Sequence, residues 1–262
     1  MGPPPMIAAL TPRRVMASPI VARLGVILIL LAIWEVAARW FVDPLFLAPP
    51  SWVVTAIGPV FATKDVPKAL WITLEEIGVA FTLSVAIGLA VGLVVGLHDF
   101  SRRSFMPMIL LLYGLPQVTI LPLFILYFGI GEASKIAFGV THGTFAIVLT
   151  VAAGVQNIKP ILLVSARSMG ASFGQRFRYV IFPHMIPSFF TGMRLGMTGV
   201  LLGVLLAELY VSTAGIGYFT TLFTQNFDPA KLLALVGTLA AMAIVLNAVL
   251  RGLERWFARW RD

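Results

Sequence analysis

The chain has 262 residues, 59% of them hydrophobic and only 11% charged, with a mean hydropathy of +0.96. Soluble domains carry about 25% charged residues, so a water-coated globule is excluded and the bilayer has to act as solvent. The net charge of +8 does not mark a nucleic-acid binder, because basic residues of membrane proteins gather on cytoplasmic loops. The absence of cysteine excludes disulfides, thiolate metal sites and cysteine nucleophiles.

A spanning helix needs about 20 mostly apolar residues. Six stretches qualify, at 22–41, 72–97, 106–128, 133–154, 187–210 and 232–250. They predict an all-α polytopic membrane protein with a transmembrane domain over 22–250, a cytoplasmic N-terminal segment 1–21 and a basic cytoplasmic tail 251–262. No small-residue cleavage site follows the first span clearly, so it reads as an uncleaved helix. The next stretch holds Pro44, Pro49, Pro50, Pro59 and Pro67 and is too broken to span; its middle reads as a short interfacial helix. The second span places Ala80, Ser84, Gly88, Gly92 and Gly96 at intervals of four, a face that admits a close neighbour. Glu75 and Glu76 near its outer end are expected to be hydrated.

In the third span, Pro116 and Pro122 free backbone carbonyls and predict a kink. The fourth carries Thr141, His142 and Thr144. The fifth carries Gly192, Gly196, Gly199 and Gly203, a second small-residue face. Arg194 and Glu208, also on the fifth, stand 14 residues apart, about 21 Å of helix, and cannot pair with each other along it. The sixth carries Asn247, and the tail, with Trp256, Phe257 and Trp260, reads as an interfacial helix. Polar groups in a bilayer face the bundle interior. Gln117, Thr119, His142, Thr144 and Thr198 are therefore either interhelical hydrogen-bonding groups or the lining of a solute path. The three histidines are far apart and no His-Glu-x-x-His pattern occurs, so a metal site is not expected.

Orientation follows from lysine and arginine. With the N-terminus in the cytoplasm, only Arg39, Lys64, Lys68, Lys135 and Lys231 of the 19 basic residues fall outside. The positive-inside rule then predicts both termini in the cytoplasm. One long polar stretch remains, about 155–186, and it is cytoplasmic on this reading. Pro160 suits a first helical turn, Gly170 can stop that helix in the left-handed conformation, and Ser172 with Gln175 fits a capping box opening a second. Pro183 and Pro187 are expected to end this second helix before the fifth span.

The segment Val164-Ser165-Ala166-Arg167-Ser168-Met169-Gly170-Ala171-Ser172, continuing to Val180, Phe182 and Pro183, resembles the cytoplasmic signature of ABC importer permeases. Ala166, Gly170 and Pro183 match by identity, whereas Val164 stands in place of the signature glutamate and Ser165 in place of its first alanine. Residues 115–132, Gly192-Met193-Arg194-Leu195, Ala207-Glu208 and Gly215-Ile216-Gly217 are similar to nitrate, sulfonate and taurine permeases. Related permeases more often show an arginine at Glu75-Glu76. The resemblance implies the type I, MetI-like permease fold and a homodimer in the bacterial inner membrane. It also implies two ATPase subunits docked on the loop and a periplasmic binding protein that delivers the solute. The docking residues carried over are Ala166, Arg167, Met169, Gly170, Ala171, Ser172, Phe173, Arg176 and Arg178. The chain has no Gly-x-x-x-x-Gly-Lys-Ser/Thr loop, so ATP and Mg are expected on the partner and no cofactor on this chain. Nitrate, taurine, alkanesulfonates, bicarbonate, aromatic acids and pyrimidine precursors are all admissible solutes. A secondary transporter would show inverted repeats and mid-membrane charges, and an intramembrane enzyme a nucleophile–base pair; neither pattern is evident.

Overall fold

The computed structural model describes residues 19–211 and 213–258. Helix α1 (Pro19–Trp40) is followed by the short α2 (Pro50–Ala62) and the long α3 (Val66–Leu97). The third predicted span is two helices, α4 (Asp99–Gly114) and α5 (Leu121–Phe128), joined through a 3₁₀ turn (Gln117–Ile120) and bent by 87°. The break falls where Leu115 is forced extended by Pro116, while Pro122 lies in the first turn of α5, where its missing N–H is not needed. After α6 (Glu132–Gln156) come α7 (Pro160–Ser168), α8 (Phe173–Arg176), α9 (Phe182–Val211), α10 (Ile216–Gln225) and α11 (Pro229–Ala258). Among the described residues, five helices are long and apolar enough to span, six if the bent pair counts as one.

Two features differ from the sequence reading. The fifth span does not begin at a proline break: α8 runs through a π turn (Phe177–Ile181) directly into α9. The wider turn absorbs a residue whose hydrogen bond Pro183 cannot donate. α10 was not anticipated, since its ten residues are too few to span and lie between two predicted spans. In the tail, residues 251–258 continue α11, and 259–262, with Trp260, lie outside the described residues.

The bundle is built around α6. The stripe on α3 lies against it in parallel: a methyl group placed at Gly88 would stand 2.7 Å from Cβ of Ile147, at Gly92 2.7 Å from Cβ of Val151, and at Gly96 2.9 Å from Cβ of Val155. Further up, Gly139 faces Ala80 and Gly143 faces Ser84, so the pairing advances by four on both helices. α9 runs antiparallel to α6 and packs against α3 as well, with Gly192 against Thr150, Gly196 against Ile147 and Gly203 against His142. Glycine lets backbones approach so that dispersion contacts replace the hydrophobic drive that lipid does not supply. α1 is exposed along most of its length and is tied to the rest through Glu35. That carboxylate accepts from Ser51 N (3.0 Å), Ser51 Oγ (2.8 Å) and Arg39 Nε (2.6 Å).

Candidate functional site

The α3–α6–α9 packing leaves one face of α9 open. Leu195, Leu202 and Leu209 recur every seven residues along it and are exposed. A cavity of about 420 Å³ opens beside this face, lined by Tyr113, Leu115, Gln117, His142, Ala146, Leu195, Thr198 and Leu202. Three of the predicted path residues, Gln117, His142 and Thr198, therefore meet in one place. Thr119 and Thr144 are not among the lining residues: Thr119 donates to Pro116 O (2.8 Å) inside the 3₁₀ turn, and Thr144 to Val140 O (2.7 Å). The helix break delivers Gln117, because the bend turns the chain across the cavity. Gln117 Oε1 is buried with no hydrogen-bond partner among the described residues.

The interhelical bonds expected of the polar residues are largely absent. His142 Nδ1 bonds Phe138 O (3.1 Å), Thr198 Oγ1 donates to Arg194 O (3.1 Å) and Asn247 Nδ2 to Ala243 O (3.0 Å), all one turn back on their own helix. For His142 this places one proton. A carbonyl only accepts, so Nδ1 carries a proton in this bond and Nε2 is turned away from it. The ring is held edge-on to Phe138, with centroids 4.5 Å apart.

The loop after α6 forms helix, break, helix, as its residues predict. Ala171 N donates to Ala166 O (3.0 Å) and Gly170 N to Arg167 O (2.9 Å), with Gly170 at φ +76°: a Schellman stop of α7. Ser172 and Gln175 close the reciprocal capping box of α8, at 2.7 and 3.3 Å. Phe177 packs on the loop-side ends of the spans beside Ile158, Ile181 and Met185. Met169, at 85% exposure, and Phe173 do not pack there and stand in the open with Arg167 and Arg178. Ala166, Ala171 and Arg176 are half-buried, and the Arg176 guanidinium lies 5.9 Å over the Phe173 ring. A hollow of about 180 Å³ beside them is lined by Arg167, Phe173, Arg176 and the ends of α3 and α6.

Sequence reasoning missed a buried charge layer at the end of the bundle opposite this loop. Glu76 is not hydrated: it and Glu208 are each 1% exposed and Lys135 is 4% exposed. Glu75, one position earlier, is exposed. Lys135 Nζ pairs with Glu76 and lies 4.0 Å from Glu208 Oε1. Glu208 accepts from Thr73 Oγ1 (2.7 Å) and Gly217 N (2.8 Å), and Ile216 N donates to Thr73 Oγ1 (2.9 Å). The signal was in the stripes. Carried one more step of four, the α3–α6 pairing sets Glu76 opposite Lys135, and the α6–α9 pairing adds Glu208. At the other end of α9, Arg194 pairs with Glu254 of α11.

Residues 84–262 match the family model described as "Binding-protein-dependent transport system inner membrane component". The chain is 31% identical over 244 residues to the taurine transport system permease protein TauC of Escherichia coli (strain K12), covering 90% of this chain and 88% of that one. It is 27% identical over 235 residues to the putative aliphatic sulfonates transport permease protein SsuC of Bacillus subtilis (strain 168), covering 89% and 85%. Among solved structures, the MetNI methionine ABC transporter in an inward-facing conformation aligns with a TM-score of 0.64 at 16% identity, over 80% of this chain and 98% of that one.

Proposed function

The chain belongs to the family of binding-protein-dependent transport system inner membrane components, as a permease subunit of an ABC importer, and from that premise we propose that it forms the path for a small sulfonate-like anion at a homodimer interface. ATP hydrolysis belongs to a separate subunit, and the family couples the permease to an ATPase and a binding protein. The observation that carries the path is the convergence of Gln117, His142 and Thr198 on one cavity at the open face of α9. Among the described residues no charged side chain lines it, so an anion meets hydrogen-bonding groups there without a fixed countercharge. Such a path holds its solute weakly and lets it leave. A second copy of the chain laid on the Leu195–Leu202–Leu209 face closes the cavity into a conduit. The taurine and sulfonate relatives supply the solute class.

The exposed Met169, Phe173, Arg167 and Arg178 on the α7–α8 break form the surface on which one ATPase subunit per permease docks, with ATP and Mg held there. This orientation puts both termini in the cytoplasm and the Glu76–Lys135–Glu208 layer on the outer side. The test is reconstitution of the permease with its co-encoded ATPase and binding protein in liposomes. Uptake of labelled taurine or an alkanesulfonate that requires ATP and the binding protein is expected, and substitution of Thr198 by valine together with Gln117 by alanine should slow it. ATP-driven uptake of neither compound would refute the solute class.

A further inference from the structure

The outer charge layer takes no part in the path or in ATPase docking, yet it joins three spans to α10. We propose that Glu208 is a positioning residue of the transport cycle: it latches α10 across the outer mouth of the path, and the Glu76–Lys135 pair sets the charge balance that makes the latch hold. The proposal rests on the permease reading and its orientation.

The first turn of α10 has no cap of its own, since its N-cap is Gly215. Its leading amides are taken by side chains of two other helices, Ile216 N by Thr73 and Gly217 N by Glu208. Gly215 has φ +100°, and any side chain there would occupy the Glu208 carboxylate; a side chain at Gly217 would collide with Glu208 as well. Two glycines therefore seat the turn directly on one carboxylate. Lys135 can neutralise one of the two glutamates. The positive end of the α10 dipole is the complement for the other. Lifting α10 would leave a carboxylate in an apolar layer with one partner fewer, which disfavours the open arrangement until water or another protein replaces the lost donors.

The position of α10 makes the latch relevant to passage. On its other side α10 borders an outer cleft of about 370 Å³ with Ile130, Leu209, Tyr210 and Thr213. Leu209 continues the α9 stripe whose Leu195 and Leu202 line the inner cavity. One face of one helix thus runs from the polar cavity to the edge of α10. Alternating access needs an element with two arrangements whose balance a partner can shift, and this contact is made and broken as a unit.

The chain has no cysteine, so Ile216→Cys places a single reporter in the first turn of α10, where the native side chain is 1% exposed. The complex with its ATPase is reconstituted and treated from outside with a membrane-impermeant maleimide. In the Ile216→Cys parent, labelling is expected to be slow at rest and to rise when ATP and binding protein are added. Adding Glu208→Gln or Thr73→Val should raise the resting rate by about tenfold, within the usual range of coupling between sites, and release ATP hydrolysis from its need for binding protein. Thr73→Ser, which keeps the hydroxyl, should restore parental behaviour. Thr73→Val labelling at the parental resting rate in an assembled complex would overturn the latch, whether or not Glu208→Gln assembles. So would a loss of uptake that merely tracks the amount of complex. A parent that imports no sulfonate while its variants still differ in resting labelling would refute the solute class and leave the latch standing.

Discussion

At the residue scale, the chain keeps three ionised-type side chains out of water where lipid-like packing surrounds them. Removing one member of a buried pair strands the other, at about 3–5 kcal/mol. Lys135→Ala should therefore lower the thermal stability of the detergent-solubilised protein more than Glu76→Met combined with Lys135→Met, measured by the unfolding midpoint of the two purified variants. A charge swap, Glu76→Lys with Lys135→Glu, should not restore stability, because the new carboxylate at 135 faces Glu208, which lies 4.0 Å from Lys135 Nζ in the native chain. The glycines divide in the same manner. Gly92→Val drives Cβ to 2.7 Å from Val151 and should weaken the α3–α6 seam. Gly78, with nothing within 4 Å, accepts alanine, and helix propensity makes that change stabilising by up to about 1 kcal/mol. The yield of monodisperse protein for the two variants reads out the difference.

At the scale of elements, the α7–α8 break is fixed by local chemistry. A side chain at Gly170 meets no atom within 4 Å, so the effect of Gly170→Val is conformational and comes from φ +76°. Forcing a β-branched residue to hold it costs about 1–2 kcal/mol, enough to reset the angle between α7 and α8 while the spans stay inserted. ATP-driven uptake should be lost in the reconstituted complex, either with the ATPase no longer bound or with hydrolysis continuing unproductively; normal uptake would show that the segment is only a linker. Ser172→Ala removes one arm of the capping box and should cost about 1 kcal/mol, seen as a milder fall in the same assay. The π turn matters here too, since it makes α8 continuous with α9. A push on the break is delivered along the helix that carries Thr198, Leu202 and Glu208.

At the scale of the whole molecule, the fold is a parallel α3–α6 pair with α9 antiparallel against it, wrapped by more exposed helices. α1 and the outer faces of α11 are exposed in the single chain, and so is the Leu195–Leu202–Leu209 face of α9, which borders the cavity at Gln117 and the cleft at Tyr210. A homodimer across that face predicts that Leu202→Cys, introduced into the cysteine-free chain, forms a disulfide-linked dimer on oxidation in membranes, while Ile29→Cys on exposed α1 does not. The imbalance of basic residues predicts that a reporter fused after Asp262 is active only as a cytoplasmic reporter, and periplasmic activity at that fusion would reverse the assignment of the charge layer to the outer side.

What the sequence by itself determined is whatever depends on local chemistry and bulk solvation. Apolar length set the spans, intervals of four on α3 and of three and four on α9 set their faces, and Pro116, Gly170 and the Ser172–Gln175 box set the breaks, because each acts within one or two turns of its own backbone. What only the tertiary structure decided was which faces meet. The polar residues Thr144 and Thr198 carry equivalent side chains, yet one is turned away from the cavity and the other lines it, a difference of helix rotation that no single segment encodes. Glu76 read as a hydrated end of a span because its helix alone offers it no partner. Lys135, Thr73 and the first turn of α10 become neighbours of Glu76 and Glu208 only when the small-residue stripes bring three helices into register, and buried charge is tolerable only where such partners converge.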